Sequence, residues 1–221
     1  MNKYVNKLKK YACIEAINYI YPGITVGIGT GSTIKLFIEE LKQVKHLIKG
    51  AVSSSKESTK QLIKNKIKVM DLNDISGLQL YIDSADEINK NKQMIKGGGG
   101  ALTGEKIISS FSDSFICIVD ENKIVKDLGK FFPVPVEVIP MSINYVCSQI
   151  KKLSGIPKIR KSFITDYGNL IIDVFNLNLE NPLYIENKIN SISGVVSVGL
   201  FIKRKADILL VGTKQGVKTY F

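Results

Sequence analysis

Four short apolar runs in this chain each end in a polar or glycine-rich loop. Residues 24–28 run into Gly29-Thr30-Gly31-Ser32-Thr33, and residues 48–52 into Ser53-Ser54-Ser55. Residues 78–82 run into Asp83-Ser84-Ala85-Asp86-Glu87, and residues 115–119 into Asp120-Glu121-Asn122-Lys123. Strand followed by loop and helix, repeated in this way, builds a parallel sheet and gathers the loops at its carboxyl edge, where open α/β sheets hold their ligands. A further apolar run at 67–72 reads as one more strand of that sheet. The expected fold class is therefore α/β, with a Rossmann-like, open and mainly parallel sheet.

After Asp120 the pattern changes. Residues 132–140, Phe-Pro-Val-Pro-Val-Glu-Val-Ile-Pro, form an extended run whose prolines suggest an edge strand or a crossing segment. Apolar residues at helical spacing fill 141–153, and a hairpin is expected from 158–165 and 170–175 around Asp166-Tyr167-Gly168-Asn169. Asn181-Pro182 opens another helix, and 195–201 reads as a strand. This β-α-β-β-α-β order is that of a small ferredoxin-like unit. Residues 206–212 and 217–220 are further strands, placed most simply back on the first sheet. The expected organisation is a discontinuous sheet domain, 1–131 and 205–221, carrying the site, with an inserted ferredoxin-like α+β domain at 132–204.

The chemistry concentrates in two strings, Asp83-Ser84-Ala85-Asp86-Glu87 and Lys96-Gly97-Gly98-Gly99-Gly100-Ala101-Leu102-Thr103-Gly104-Glu105-Lys106. Taken singly, glycine runs and Asp-rich strings are common in surface turns. A packed core, however, has no use for consecutive glycines, each costing roughly 0.5–1 kcal/mol relative to Ala in a regular element. Bare backbone beside charges of both signs points to close approach of a small anionic ligand. Thr103 reads as an N-cap that sets Glu105 in the first helical turn, facing the glycines. A carboxylate there, with Lys96 and backbone amides to stabilise an oxyanion, suits proton transfer on an α-hydroxy carbonyl. Asp83 and Asp86, three apart past a strand, are placed to orient one another or to relay a hydroxyl proton.

The loop Gly27-Ile28-Gly29-Thr30-Gly31-Ser32-Thr33 between a strand and an amphipathic helix meets the physical requirement for binding phosphate, because first-turn amides lack intrahelical partners and the helix end is positive. Hydroxyls of Thr30, Ser32 and Thr33 add donors. It is not a P-loop, since no Gly-Lys-Ser/Thr follows, and a dinucleotide fingerprint needs Gly where Ser32 stands.

The net charge of +11 raises nucleic acid as a partner, but nearly all of the 31 basic residues are lysines spread along the chain. Guanine readout favours arginine, and a Lys/Asn/Ile excess also arises from coding bias, so no nucleic-acid partner is expected. Cys13, Cys117 and Cys147 are too far apart for a metal site or disulfide framework, and the single histidine, His46, cannot furnish a zinc set or a triad. Acid–base work falls to carboxylates and lysines. No run is long enough for a membrane span, and the N-terminal stretch reads as an amphipathic helix and not a signal peptide. A soluble, cytoplasmic protein with no membrane partner is the expectation.

In the strings GIGTGST, AVSSS, DSADE, MIKGGGGALTGEK and GKFFPVPVEVIP the sequence resembles ribose-5-phosphate isomerases of the A type, over essentially the whole chain. The resemblance implies a reversible aldose–ketose isomerisation between ribose 5-phosphate and ribulose 5-phosphate in the pentose phosphate pathway, without metal or organic cofactor, by a homodimer. It implies that Glu105 is the base moving a proton between C1 and C2 through an enediolate. It further implies that Asp83 handles the hydroxyl or ring-opening proton while Asp86 and Lys96 position the sugar and balance charge. The substrate-binding positions it implies are Thr30, Gly31, Ser32, Thr33, Asp83, Ser84, Ala85, Asp86, Lys96, Gly97, Gly98, Gly99 and Lys123; by charge alone Lys123 reads as a surface lysine. One departure stands out. The family string is DGADE, and if its glycine has a positive φ, Ser84 would be strained by about 1 kcal/mol. A non-catalytic sugar-phosphate sensor and an amino-sugar deaminase are the competing readings; the first need not keep Glu105, Asp83 and Lys96 together, and the second would lack a histidine for ring opening.

Overall fold

The computed structural model describes residues 3–221. In chain order the elements are α1 (Lys3–Ile17), β1 (Thr25–Ile28), α2 (Ser32–Leu41), β2 (Gly50–Ser53), α3 (Lys56–Lys64), β3 (Leu78–Asp83), β4 (Glu87–Ile88), β5 (Met94–Ile95), α4 (Leu102–Phe111) and β6 (Ser112–Asp120). There follow β7 (Val134–Val138), α5 (Ile143–Lys152), β8 (Ile156–Ile159), β9 (Leu170–Phe175), α6 (Pro182–Asn190), β10 (Val195–Val198), β11 (Leu200–Phe201), β12 (Ile208–Thr213) and β13 (Gly216–Tyr220). They fall into two compact units: Met1–Ala85 with Ile107–Lys123 and Ala206–Phe221, and Asp86–Lys106 with Ile124–Lys205.

The first unit carries a six-stranded sheet in the order β13-β12-β6-β3-β1-β2. All neighbours are parallel except β13, which returns antiparallel on β12. The inner strands are apolar almost without interruption, as strands covered on both faces must be. Helix α1 turns Leu8, Ala12, Cys13 and Ala16 inward, and α2 contributes Ile34, Phe37, Ile38 and Leu41 to the same core. The fit of α1 on β12 depends on Gly212, where a β-carbon would lie 1.9 Å from the carbonyl oxygen of Leu8. A single methyl there would push α1 off the sheet, exposing part of a core in which each buried Leu or Ile contributes about 1.5–3 kcal/mol.

The strand expected at 67–72 is reduced to one bridge, Val69 to Ala51. Lys68 O and Met70 N bond Ala51, after which Asp71 accepts from the amide of Asn73 and turns the chain away.

In the second unit, β7-α5-β8-β9-α6-β10 folds into an antiparallel sheet of order β10-β7-β9-β8, the ferredoxin-like arrangement. Val146 and Ile150 of α5 and Ile185 and Ile189 of α6 pack on Val134, Val136, Val138, Ile172 and Val198. The proline-rich run is an inner strand, not an edge. Pro135 is tolerated because it lies beyond the last register pair with β10, Val136–Val198, and its carbonyl accepts the amide of Gly199 at 2.7 Å. The expected strand 195–201 breaks at Gly199 into β10 and β11, the latter joining β5 and β4 in a separate three-stranded sheet.

That small sheet places 86–106 and 124–131 with the second unit, whereas the sequence groups them with the first. The buried Glu87 carboxylate explains the difference, because it accepts amides from Gly129, Phe131 and Phe132 at 2.7–2.8 Å and so ties the two segments together.

Candidate active site

Parallel pairing of β1, β2, β3 and β6 brings their carboxyl ends to one edge of the first unit's sheet. Asp83 ends β3 there and is fully buried. Its Oδ1 accepts the amides of Thr30 at 3.1 Å and Ser84 at 2.7 Å, and its Oδ2 accepts the Tyr81 hydroxyl. A β-carbon on Gly29 would lie 1.9 Å from the Asp83 carboxyl carbon, so only glycine lets this loop close on the aspartate. The Thr30 hydroxyl donates to Ser55 and is hydrogen-bonded to Ser54, both at 2.8 Å, while the Ser58 hydroxyl donates to Gly29 O at 2.6 Å. The three serines after β2 thus do more than cap α3, although Ser55 does cap it, accepting from Ser58 N.

Gly31 adopts φ 117° and leads directly into α2. Gly31 and Ser32 are exposed at the helix start and Thr33 is buried. Lys9, on α1, is only 7% exposed, and its ammonium donates to the Ser32 hydroxyl at 2.9 Å. Helical spacing marks α1's apolar stripe and leaves lysines to solvent, so this buried cation at the phosphate-type loop is not visible in the sequence. Lys123 closes the short 3₁₀ turn after β6 and is half-buried.

In the second unit the Lys96 ammonium lies 3.3 Å from Glu105 Oε2, with both side chains at most 5% exposed. The Phe201 ring lies 5.5 Å below the same ammonium. Glu105 sits in the first turn of α4, where the helix end favours negative charge. Thr103 is not the cap of that helix: it is already inside it, and its hydroxyl donates to Glu137 Oε2 at 2.5 Å. Asp86 Oδ2 accepts the amide of Gly98 at 2.7 Å. Gly98 and Gly99 are exposed, and the Gly99 amide faces no acceptor among the described residues, while Gly97 and Gly100 take positive φ values of 107° and 77°.

The structure therefore gathers Thr30, Asp83 and Ser84 in one cluster and Asp86, Lys96, Gly98 and Glu105 in the other. Ala85, 5% exposed, ends the first unit, and Asp86 begins the second. Among the described residues the non-glycines with positive φ are Lys66, Lys92, Ser154, Ser162 and Asn176. Ser84 is not one of them, so its backbone carries none of the left-handed strain its place in the string suggested.

A carboxylate paired with a buried ammonium beside a glycine run has the chemistry to move a proton, and a separate glycine–hydroxyl loop at a helix start has that of an anion-binding loop. The family model of ribose 5-phosphate isomerase A (phosphoriboisomerase A) matches residues 50–216. The chain belongs to the ribose 5-phosphate isomerase A family. It is 56% identical to ribose-5-phosphate isomerase A of Buchnera aphidicola subsp. Schizaphis graminum over 214 residues, 97% of each chain. The crystal structure of ribose 5 phosphate isomerase A from Neisseria gonorrhoeae superimposes with a TM-score of 0.96 at 46% identity, covering 98% of this chain and 97% of that one. A D-ribose-5-phosphate isomerase in complex with phospho-erythronic acid superimposes with a TM-score of 0.93 at 36% identity, covering 100% and 99% of the two chains. The chain is thus an enzyme of an isomerase family with the fold of its solved members.

Proposed function

We propose that this chain interconverts D-ribose 5-phosphate and D-ribulose 5-phosphate, with Glu105 as the base that carries a proton between C2 and C1. The observation that carries the reading is the buried Lys96–Glu105 pair at the start of α4, beside the exposed amides of the glycine run. On the open-chain aldose, Glu105 removes the C2 proton and the electron pair moves into a C1–C2 double bond, leaving negative charge on O1. Lys96 and the amide of Gly99 stabilise that enediolate, the Gly98 amide being held by Asp86. The O2 proton passes to O1 by way of Asp83, and the proton held on Glu105 is delivered to C1 as the O2 carbonyl forms. No atoms are gained or lost, and Glu105 ends as a carboxylate.

The phosphate is assigned to the amides of Gly31, Ser32 and Thr33 at the α2 start, with the cations of Lys9 and Lys123 balancing its charge. Thr30 is assigned to holding the loop, since its amide and hydroxyl already bond Asp83 and Ser55. Asp86 orients the glycine run through Gly98. Phospho-erythronic acid, bound by the related isomerase, carries a planar carboxylate resembling the planar enediolate, and is expected to inhibit this enzyme.

The resemblance also supports a cytoplasmic homodimer, which light scattering tests, and among the described residues no helix is long and apolar enough to cross a membrane. The deciding assay is ribose 5-phosphate conversion by chelator-treated protein. Turnover that survives chelation supports the reading; no turnover, or turnover restored only by added metal, contradicts it.

A further inference from the structure

The composition of this chain makes its arginines informative. Of 31 basic residues only Arg160 and Arg204 are arginines. A chain that uses lysine wherever a cation suffices keeps a guanidinium where an ammonium cannot supply the geometry. Arg160 follows β8 and is half-buried. Its Nε and Nη2 fork onto Asp173 of β9, at 2.9 Å to Oδ2 and 2.5 Å to Oδ1. Its Nη1 donates to the carbonyls of both Gly97 and Gly98, each at 3.1 Å. Phe163 backs the same strip: its ring lies 5.3 Å from the guanidinium, and a β-carbon on Gly100 would lie 2.1 Å from its Cζ.

A planar trans peptide points its N–H opposite its C=O. Holding the Gly97 carbonyl therefore aims the Gly98 N–H away from Arg160, and that N–H is the donor that reaches Asp86 at 2.7 Å. Holding the Gly98 carbonyl aims the Gly99 N–H away from the guanidinium as well, and Gly99 is exposed. Glycine peptides rotate with little steric cost, so without the clamp both planes are free to flip.

We propose that Arg160, set by its fork to Asp173, is a positioning residue that fixes the two glycine peptides whose N–H groups orient Asp86 and face the reacting sugar oxygens. The inference rests on the proposed isomerisation, and an ammonium does not substitute: its three N–H donors sit on one atom, whereas the guanidinium makes four bonds from three nitrogens to Asp173, Gly97 and Gly98.

Arg160→Lys keeps the charge and loses the fork. It should lower kcat/KM for ribose 5-phosphate by about 10- to 100-fold, mostly in kcat, because a misplacement near 1 Å costs on that order. Phospho-erythronic acid should bind more weakly in parallel, and exchange at the Gly98 amide, which the clamp aims at Asp86, should quicken. In Arg160→Ala, added guanidinium ion should restore kcat several-fold while methylammonium does not. Should Arg160→Lys fail to fold, Asp173→Asn, which keeps the guanidinium and loosens its fork, carries the same expectations. A kcat/KM within about twofold of the parent in a folded variant, or unchanged exchange at the Gly98 amide, overturns the proposal, as does equal rescue by both ions. If the parent itself fails to isomerise ribose 5-phosphate, the proposed function falls, and amide exchange still decides the clamp.

Discussion

Removing both charges of the Lys96–Glu105 pair should cost less than the sum of removing each alone. The two groups are 3.3 Å apart and both side chains are at most 5% exposed. At an effective dielectric constant of about 20 their gross attraction is about 5 kcal/mol, most of which offsets the desolvation of two buried ions. Replacing one member leaves the other charge buried with that counter-ion gone, which costs about 3–5 kcal/mol. Lys96→Met and Glu105→Gln should each lower unfolding free energy on that scale. The double variant should lose less than the sum by about 2 kcal/mol or more, since close, buried pairs couple strongly. Urea unfolding followed by circular dichroism gives all four corners of the cycle. A coupling energy below about 0.5 kcal/mol would mean that the two side chains do not meet as an ion pair, and the reasoning that places the base against its oxyanion partner would fail with it.

Gly29→Ala drives a methyl into the Asp83 carboxyl, so stability should drop by about 1–3 kcal/mol and kcat/KM by about 100-fold, measured by thermal melts and steady-state kinetics; parent-like kinetics would remove the loop–aspartate contact from the account. Lys9→Met should raise KM for ribose 5-phosphate about tenfold or more with a smaller change in kcat, as loss of a charged contact to bound phosphate requires. Burial holds the Lys106 ammonium below its ordinary pKa of 10.5, against the opposing pull of Glu186, which it meets at 2.8 Å. The folded chain then binds fewer protons than the unfolded one between the lowered value and 10.5, so Lys106's contribution to stability is present above 10.5 and lost as pH falls through the lowered value. Measured against Lys106→Met, the parent should gain stability as pH rises through that window.

Much of the architecture is legible in the sequence because it is written in local signals. The strand–loop–helix recurrence around 24–41 and the βαββαβ order after Val134 rest on periodicity and turn residues, which short windows carry. Where local signals mislead, a distant partner has intervened. Thr103 looks like a cap, but its hydroxyl is drawn to Glu137, 34 residues away, and the helix starts before it. Residues 86–106 look like part of the first sheet's domain, but Glu87 binds amides more than 40 residues downstream. Prolines argue against an inner strand at β7, yet Pro135 falls where the pairing with β10 has ended.

The candidate site divides in the same way. Glu105, Lys96 and the glycines announce themselves by residue type, since glycines and charges together have no structural use in a core. Lys9 and Arg160 do not, because nothing near them in sequence distinguishes them from surface cations. Their partners, Ser32 and the Gly97 and Gly98 carbonyls, are 23 and more than 60 residues away.

The central claim is that the Glu105 carboxylate moves the proton, and Glu105→Gln tests it with nearly unchanged shape. Turnover of ribose 5-phosphate by that variant should fall by about 10³-fold or more, while calorimetric binding of the same sugar phosphate stays within about tenfold of the parent. Undiminished turnover in a folded Glu105→Gln protein would contradict the account.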